Sequence, residues 1–277
     1  TSIAASEYLI LRQMIEGQNL QRIGKGVAGA KEITVSFYVK ANAAFTFGCE
    51  VFDADNSRQI TKLFDTTTGW ARHELTFPAD VDDGSSPFDD DNASSLQLNF
   101  WLHAGATFTG GTLNTTSWAN NTSANRAAGI DSFFSSTDNN FFLTGVQMEV
   151  GPVATEFEQE DIGTTLAKCH RYFQDLCDGV NETPVVNLAY YTATNSYGGV
   201  KLGTEMRAAP TIAVADQTDF TVYSNNGARV TTDVAAGCTG STKHIELVAI
   251  TAAATGGHSA FMRTKGTDSS ITLDAEL

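Results

Sequence analysis

The stretch Ile33-Thr34-Val35-Ser36-Phe37-Tyr38-Val39-Lys40 alternates apolar and polar side chains without a break. Successive side chains of a β-strand point to opposite faces, so this period places Ile33, Val35, Phe37 and Val39 on one face. The pattern recurs at Phe45, Phe47, Cys49 and Val51, at Leu75 and Phe77, at Leu96, Leu98, Phe100 and Leu102, and across Thr144–Val150. Each such strand has one apolar face, and a second sheet is the economical way to cover it. The expected fold is therefore all-β, beginning with an antiparallel, jelly-roll-like sandwich.

The period changes once. From Gly163 to Gln174, Leu166, Cys169, His170 and Phe173 fall at i, i+3, i+4 and i+7, with Thr164 or Thr165 as the expected N-cap. This is a helix of three turns at most. Alternation then returns at Val200, Leu202, Thr204 and Met206, at Ile212 and Val214, at Phe220 and Val222, at Ile245, Leu247 and Ala249, and at Ile271 and Leu273. The helix is thus expected to join two antiparallel β-sandwich domains, residues 1–161 and residues 162–277.

Composition agrees with strands and turns. Of 277 residues, 42% are hydrophobic, enough for a core, and only 18% are charged. The 17 Lys and Arg against 32 Asp and Glu leave a formal charge of −15. Such a field repels phosphate backbones and anionic lipid, so nucleic acid is not an expected partner. No run of about 18 apolar residues signals membrane insertion. The charge is uneven: residues 1–161 carry 9 basic and 21 acidic side chains, residues 162–277 carry 8 and 11. The chain opens at Thr1 rather than Met, so trimming or further sequence upstream is expected.

The remaining motifs read as scaffold. Cys49, Cys169, Cys177 and Cys238 form no CxxC pair and are expected as reduced, buried thiols. Gly24-Lys25-Gly26-Val27-Ala28-Gly29 matches GxGxxG, but a dinucleotide site needs a preceding strand and a following helix, and here a strand follows. It is expected to be a flexible turn. Gly257-His258-Ser259-Ala260-Phe261 lacks the final Gly of a nucleophile elbow. His73, His103, His170, His244 and His258 lie in separate segments and are read as structural. The acidic loop with Asp80, Asp82, Asp83, Asp89, Asp90, Asp91 and Asn92, and the run Asp53-Ala54-Asp55-Asn56, supply hard oxygens without an EF-hand order. Asp89, Asp90 and Asp91 are the calcium candidates; a solvated loop is the preferred reading. No cofactor is expected.

The run Gln147-Met148-Glu149-Val150-Gly151-Pro152-Val153-Ala154-Thr155-Glu156-Phe157-Glu158, with Leu166-Ala167-Lys168-Cys169-His170-Arg171-Tyr172-Phe173 after it, resembles a junction of bacteriophage tail-fibre proteins that reads approximately "GVQLEVG-x-VATPFE … LALCQRYY". Ile15–Asn19 and Thr34–Lys40 are similar to the start of the carbohydrate-binding-module-like jelly roll preceding that junction. Met206–Ile212 and Asp274–Leu277 look like the closing tail-fibre domain. The departures are Glu156 where Pro is usual, and Lys168 and His170 within the helix motif. The resemblance implies a phage virion structural protein, made in the bacterial host cytoplasm: a homotrimeric tail fibre whose multivalent contacts attach it to host cell-surface glycan. The expected partners are its own copies, other virion tail or capsid proteins, and that glycan. A capsid decoration or knob protein is the alternative. A polysaccharide depolymerase is less favoured, because such enzymes are long repetitive β-helices and no such repeat is present; the chain is not expected to be an enzyme.

Glycan binding needs a flat aromatic with amides and hydroxyls around it. Trp118 lies among Asn114, Thr115, Thr116, Ser117, Asn120 and Asn121, in a long connection, 105–140; the bland alternative is that it anchors that connection. Trp101, opposite in phase to Phe100 and Leu102, is expected on the outer surface or at a subunit interface. Tyr190, Tyr191 and Tyr197 flank Asn195 and Ser196 near an expected turn. The glycan candidates are Trp118, Asn120, Asn121, Tyr190, Tyr191 and Tyr197. The oligomer candidates are Leu166, Cys169, His170 and Phe173. The charge asymmetry favours the second domain, or the neutral Asn/Thr loop, as the contact face.

Overall fold

The computed structural model describes residues 3–81, 86–225, 227–236 and 241–277. Among these the chain is all-β and antiparallel, and it divides into two compact units between Gln159 and Glu160. The strands of the first unit are β1 (Tyr8–Glu16), β2 (Ile33–Ala41), β3 (Thr46–Asp53), β4 (Arg58–Asp65), β5 (Ala71–Phe77), β6 (Ser94–Ala104), β7 (Ala119–Asn120) and β8 (Phe141–Val150), with a single-turn helix α1 (Ala106–Thr109). The second unit holds α2 (Ile162–His170), β9 (Phe173–Asp175), β10 (Pro184–Tyr190), β11 (Asn195–Lys201), β12 (Thr211–Val214), β13 (Phe220–Ser224), β14 (Gly227–Ala236), β15 (His244–Thr251), β16 (Ser259–Thr264) and β17 (Ile271–Asp274). No helix among the described residues is long and apolar enough to cross a membrane.

The first unit is a sandwich. A five-stranded sheet ordered β1-β6-β3-β4-β7 faces a three-stranded sheet ordered β5-β2-β8. The alternating residues meet between them: Val35, Phe37 and Val39 from one sheet and Phe47, Cys49, Val51, Ile60 and Leu96 from the other are fully buried in one cluster. Phe37 packs edge-on to Phe64 and Phe100 at 4.9 and 5.0 Å between centroids, the aromatic geometry favoured by ring quadrupoles.

The larger sheet is covered on its other face too. Residues 105–140 fold across it, so the polar half of the alternation is buried as well: Glu50 and Asn99 have no exposure and Trp101 only 1%. Trp101 therefore corrects the expectation of a surface or subunit contact. A strand's own period cannot reveal that a distant loop will shield its polar face. Burying Glu50 requires partners, and it has them. Its carboxylate accepts from Asn99 Nδ2, Trp101 Nε1 and both the Nε and Nη2 of Arg126, each at 2.8–2.9 Å.

The second unit differs from the expected sandwich. β10-β11-β15-β14-β13-β16 closes on itself as a barrel, and β12-β17-β9 forms a small sheet beside it in the same unit. Closure leaves none of these six strands with an open edge. Its interior is filled by Val186, Leu188, Tyr190, Phe220, Val222, Leu247 and Met262. Gly198 makes closure possible between β10 and β11: a Cβ there would lie 2.2 Å from the carbonyl oxygen of Asn187 and under 3.0 Å from the side chains of Val186 and Leu188.

α2 runs one turn shorter than the sequence period suggested, because Phe173 already begins β9. Its N-cap is Asp161 rather than Thr164 or Thr165. Asp161 keeps extended backbone and its carboxylate accepts from the Thr164 amide and hydroxyl, which holds the Asp161 carboxyl below its usual range.

Candidate functional site

The sequence candidates separate on folding. Trp118 is half-buried against the sandwich core, and its indole N–H donates to the Pro78 carbonyl at 2.8 Å. It pins the 105–140 connection, the bland alternative for that residue. Asn120 is exposed on β7 and Asn121 just beyond it; the Asn121 amide donates to Ser57. Both serve the short β4–β7 pairing, in which Arg58 opposes Asn120. Tyr190 is 1% exposed, with its hydroxyl 2.9 Å from Thr251 Oγ1 inside the barrel. The Tyr190 ring thus points into the barrel, one residue out of phase with its neighbour.

The acidic segments are occupied by the protein's own cations. Lys25 Nζ lies 2.7 Å from Asp53 and 3.8 Å from Asp80, and donates to the Ser86 carbonyl at 2.9 Å. Arg58 grips Asp80 with two bonds, Nε at 2.7 Å and Nη2 at 2.8 Å. The glycine motif is the turn that delivers Lys25: Gly24 and Gly26 have φ of +63° and +80°, which favours glycine, and Lys25 between them is 2% exposed. It is an ordered turn rather than a flexible one. Asp89, Asp90 and Asp91 are not brought together around a cation site; Asp91 caps the Ala93 amide and the Asp89 amide donates to Asp55. Among the described residues no group of three or more His, Cys, Asp or Glu side chains is arranged for a metal. Asp82 and Asp83 lie outside the described residues.

The helix candidates are on the surface. Leu166 is 49% exposed, Cys169 is exposed, His170 is half-buried, and Phe173 on β9 is 43% exposed. With Ile162 at 81% exposure, they give this end of the unit an apolar surface. Cys169 thereby departs from the expected buried thiol, as does the half-buried Cys177, whereas Cys49 is in the core, where burial pushes its thiol far above the ordinary range. Desolvation also raises Cys177, to about 11. Cys238 lies outside the described residues.

One set of candidates does converge. Tyr191 follows β10 and Tyr197 lies on β11, and their rings meet at 87° with centroids 5.9 Å apart. The register Gly199↔Glu246 sets Glu246 of β15 on the same outer wall, and with Ala189 and Tyr190 these residues line an open pocket of about 540 Å³. Tyr191 is 80% exposed. The hairpin carrying it is fixed rather than loose: the Tyr191 amide donates to the Asn195 carbonyl, Thr192 Oγ1 accepts from the Asn195 amide, and the Ala254 amide donates to Ala193. Glu246 makes no hydrogen bond or ion pair among the described residues, so its carboxylate is available to a ligand. Gly199 beneath it has open space where a side chain would stand.

Two aromatic faces at a right angle, beside one unpaired acceptor, can stack on the apolar face of a pyranose ring and accept from its hydroxyls. The lining contains a single carboxylate, which offers acceptance rather than paired acid and base. Glu246 was absent from the sequence candidates. Its only signal was the period of β15, which sets it opposite in phase to the buried Ile245 and Leu247. No protein-family model matches the chain, and no curated protein matches it.

Proposed function

We propose that the chain is a phage virion structural protein, a subunit of a homotrimeric tail fibre, which attaches the particle to host cell-surface glycan. The observation that carries this reading is the Tyr191–Tyr197 corner with the unpaired Glu246 beside it, on the wall of a closed barrel. The junction motif around Gln147–Glu158 and Leu166–Phe173 supports the virion assignment. The lesser negative charge of the second half supports contact with a bacterial surface there. Each single site is expected to bind weakly, and several engaged together gain about 10²–10⁴ in avidity.

The test is adsorption of the purified chain to host cells, with a glycan array alongside. Tyr191→Ala and Tyr197→Ala should each abolish most adsorption while the melting of the barrel stays near wild type. Unchanged adsorption in both variants, or an unaltered chain that adsorbs to no host surface, overturns the reading. A purely structural role, as a capsid decoration or knob protein, is favoured by the exposed Ile162 and Leu166 of α2, which suit packing against other virion subunits. Locating the chain on the particle by electron microscopy separates the two roles.

A further inference from the structure

The barrel wall carries a second aromatic group, which uses an arginine. Tyr223 on β13 opposes Phe261 on β16, and their rings stack at 5.3 Å with 7° between planes. The guanidinium of Arg263, two residues along β16, sits 5.2 Å from the Tyr223 centroid and 4.9 Å from that of Phe261. All three point outward, because the intervening Val222 and Met262 are fully buried in the barrel.

Arg263 is held but not satisfied. Stacking on rings neutralises none of its charge and uses none of its in-plane donors. Among the described residues it makes no hydrogen bond and no ion pair, and its Nε is buried without an acceptor. Other arginines of this unit behave differently: Arg207 donates to the carbonyls of Ala275 and Glu276, and Arg229 to those of Ala253 and Gly227. With Nε shielded, the donors open to a ligand are the terminal pair Nη1 and Nη2, and the partner that best matches two parallel donors is a carboxylate or phosphate. Residues 162–277 hold 11 acidic side chains, yet none pairs with Arg263 among the described residues.

Its position relates it to the tyrosine corner. Ala189 of β10 opposes Tyr197 on one side and Ser259 on the other, and Asn187 opposes Phe261. The two aromatic groups therefore lie on one continuous wall, with β10 between the strands that carry Tyr197 and Phe261. Two steps of strand spacing amount to about 10 Å.

We propose that Arg263, on the Tyr223–Phe261 platform, is an anion subsite that takes the carboxylate or phosphate of an acidic sugar, while a neutral ring occupies the Tyr191–Tyr197 corner. This rests on the reading of the barrel wall as the glycan-contacting face. The two ends then read opposite chemistry: Glu246 repels an acidic unit and Arg263 attracts one, which fixes the direction of a chain lying across β10.

The full chain with ¹⁵N-labelled arginine tests this, by following the Nε–Hε signal of Arg263 during titration with galacturonate, glucose 6-phosphate or glucose. At millimolar concentration at least one of the two anionic probes should shift that signal saturably, and which one does so identifies the anion as carboxylate or phosphate. Glucose should not shift it. The Tyr223 ring signal beneath the guanidinium should follow the same titration, and on that signal Arg263→Lys, which keeps the charge and loses the fork, should show weakened binding. Tyrosine ring signals of Arg263→Gln should lose the anion response while the variant still melts as the unaltered chain does. A signal indifferent to both anions overturns the proposal, as does one matched by sodium chloride across all arginines. So does one that moves with protein concentration alone, which assigns the platform to packing between copies. Failure of the attachment reading is a separate result: host adsorption indifferent to Tyr191→Ala and Tyr197→Ala, with the Arg263 response intact.

Discussion

Glu50 and Arg126 are joined by two hydrogen bonds of 2.8 Å across a separation of 76 residues, with the Glu50 side chain fully shielded from solvent. Arg126 also lies over Phe52 and Trp101, at 4.5 and 5.1 Å. This pair fastens the 105–140 connection to the outer face of the five-stranded sheet. Arg126→Ala would strand a buried carboxylate, at a cost of about 3–5 kcal/mol. Calorimetry of the full chain should show the sandwich transition lowered by roughly 10 °C, on a scale of about 2–4 °C per kcal/mol, with the barrel transition unmoved. An unshifted sandwich transition would refute the fastening role.

Lys25 supplies the positive charge that Asp53 and Asp80 need, at a position 1% exposed in its side chain. Thermal melts in millimolar calcium and in chelator should coincide for the unaltered chain. Lys25→Met should destabilise by about 3–5 kcal/mol, since Asp53 loses its only cation within 4.0 Å among the described residues. A calcium-dependent melt of the unaltered chain would show that the loop takes metal after all.

His103 gives the sandwich an acid-sensitive contact. Its Nδ1 is 2.8 Å from Ser132 Oγ, its ring meets Phe134 edge-on at 5.1 Å, and its Nε2 is buried without a partner. Desolvation by burial lowers its pKa, and the charge of Glu7 only partly opposes this. The unfolded chain therefore takes up a proton first as pH falls below about 6.5, while the folded chain resists. The His103 contribution is complete above that pH and is lost as pH falls from there toward the depressed folded value. The melting temperature of His103→Gln should thus be less sensitive between pH 7 and pH 5 than that of the unaltered chain; equal sensitivity would exclude His103 as the source.

Adjacent tyrosines should respond in opposite ways. Tyr190→Phe removes a buried hydroxyl bonded to Thr251 and should cost about 0.5–1.5 kcal/mol of barrel stability, leaving adsorption intact. Tyr191→Ala should change stability by no more than about 0.5 kcal/mol, as expected for an exposed side chain, and remove adsorption. Chemical denaturation and cell binding of the pair measure both arms, and a stability loss confined to Tyr191→Ala would reverse the assignment.

Adjacent glycines make a similar contrast. Gly198→Ala places a Cβ 2.2 Å from a backbone oxygen and should destabilise by about 1–3 kcal/mol or prevent closure. Gly199→Ala meets open space and should fold normally. Circular dichroism melts distinguish them, and equal stability would show that β10 and β11 can separate without cost.

Much of the sandwich was legible because its signal is local. Ile33 to Val39 and Leu96 to Leu102 declare their buried faces two residues at a time. β14 was not legible, since Gly227-Ala228-Arg229-Val230-Thr231-Thr232-Asp233 offers little apolar alternation; its place is set by pairing with β13 and β15. β10 and β16 likewise gave faint patterns and became clear only as neighbours in the closed barrel. At the candidate site, Tyr191 and Tyr197 could be picked as aromatics near a turn. Tyr190 could not be separated from them, because inward and outward phase on a short strand depends on which side the barrel closes.

The sequence by itself determined that the chain is all-β and that a short helix separates its two halves. Both follow from side-chain period, which is a property of the chain before it folds. Only the tertiary structure decided that the second unit closes as a barrel, that Glu50 and Trp101 are buried under a distant connection, and that Glu246 and Arg263 stand unpaired on one wall. Those depend on which residues become neighbours across more than 40 positions, as with Gly199 and Glu246 or Glu50 and Arg126. Hydrogen-bond register and burial by remote segments select such neighbours, and neither leaves a local mark in the order of the amino acids.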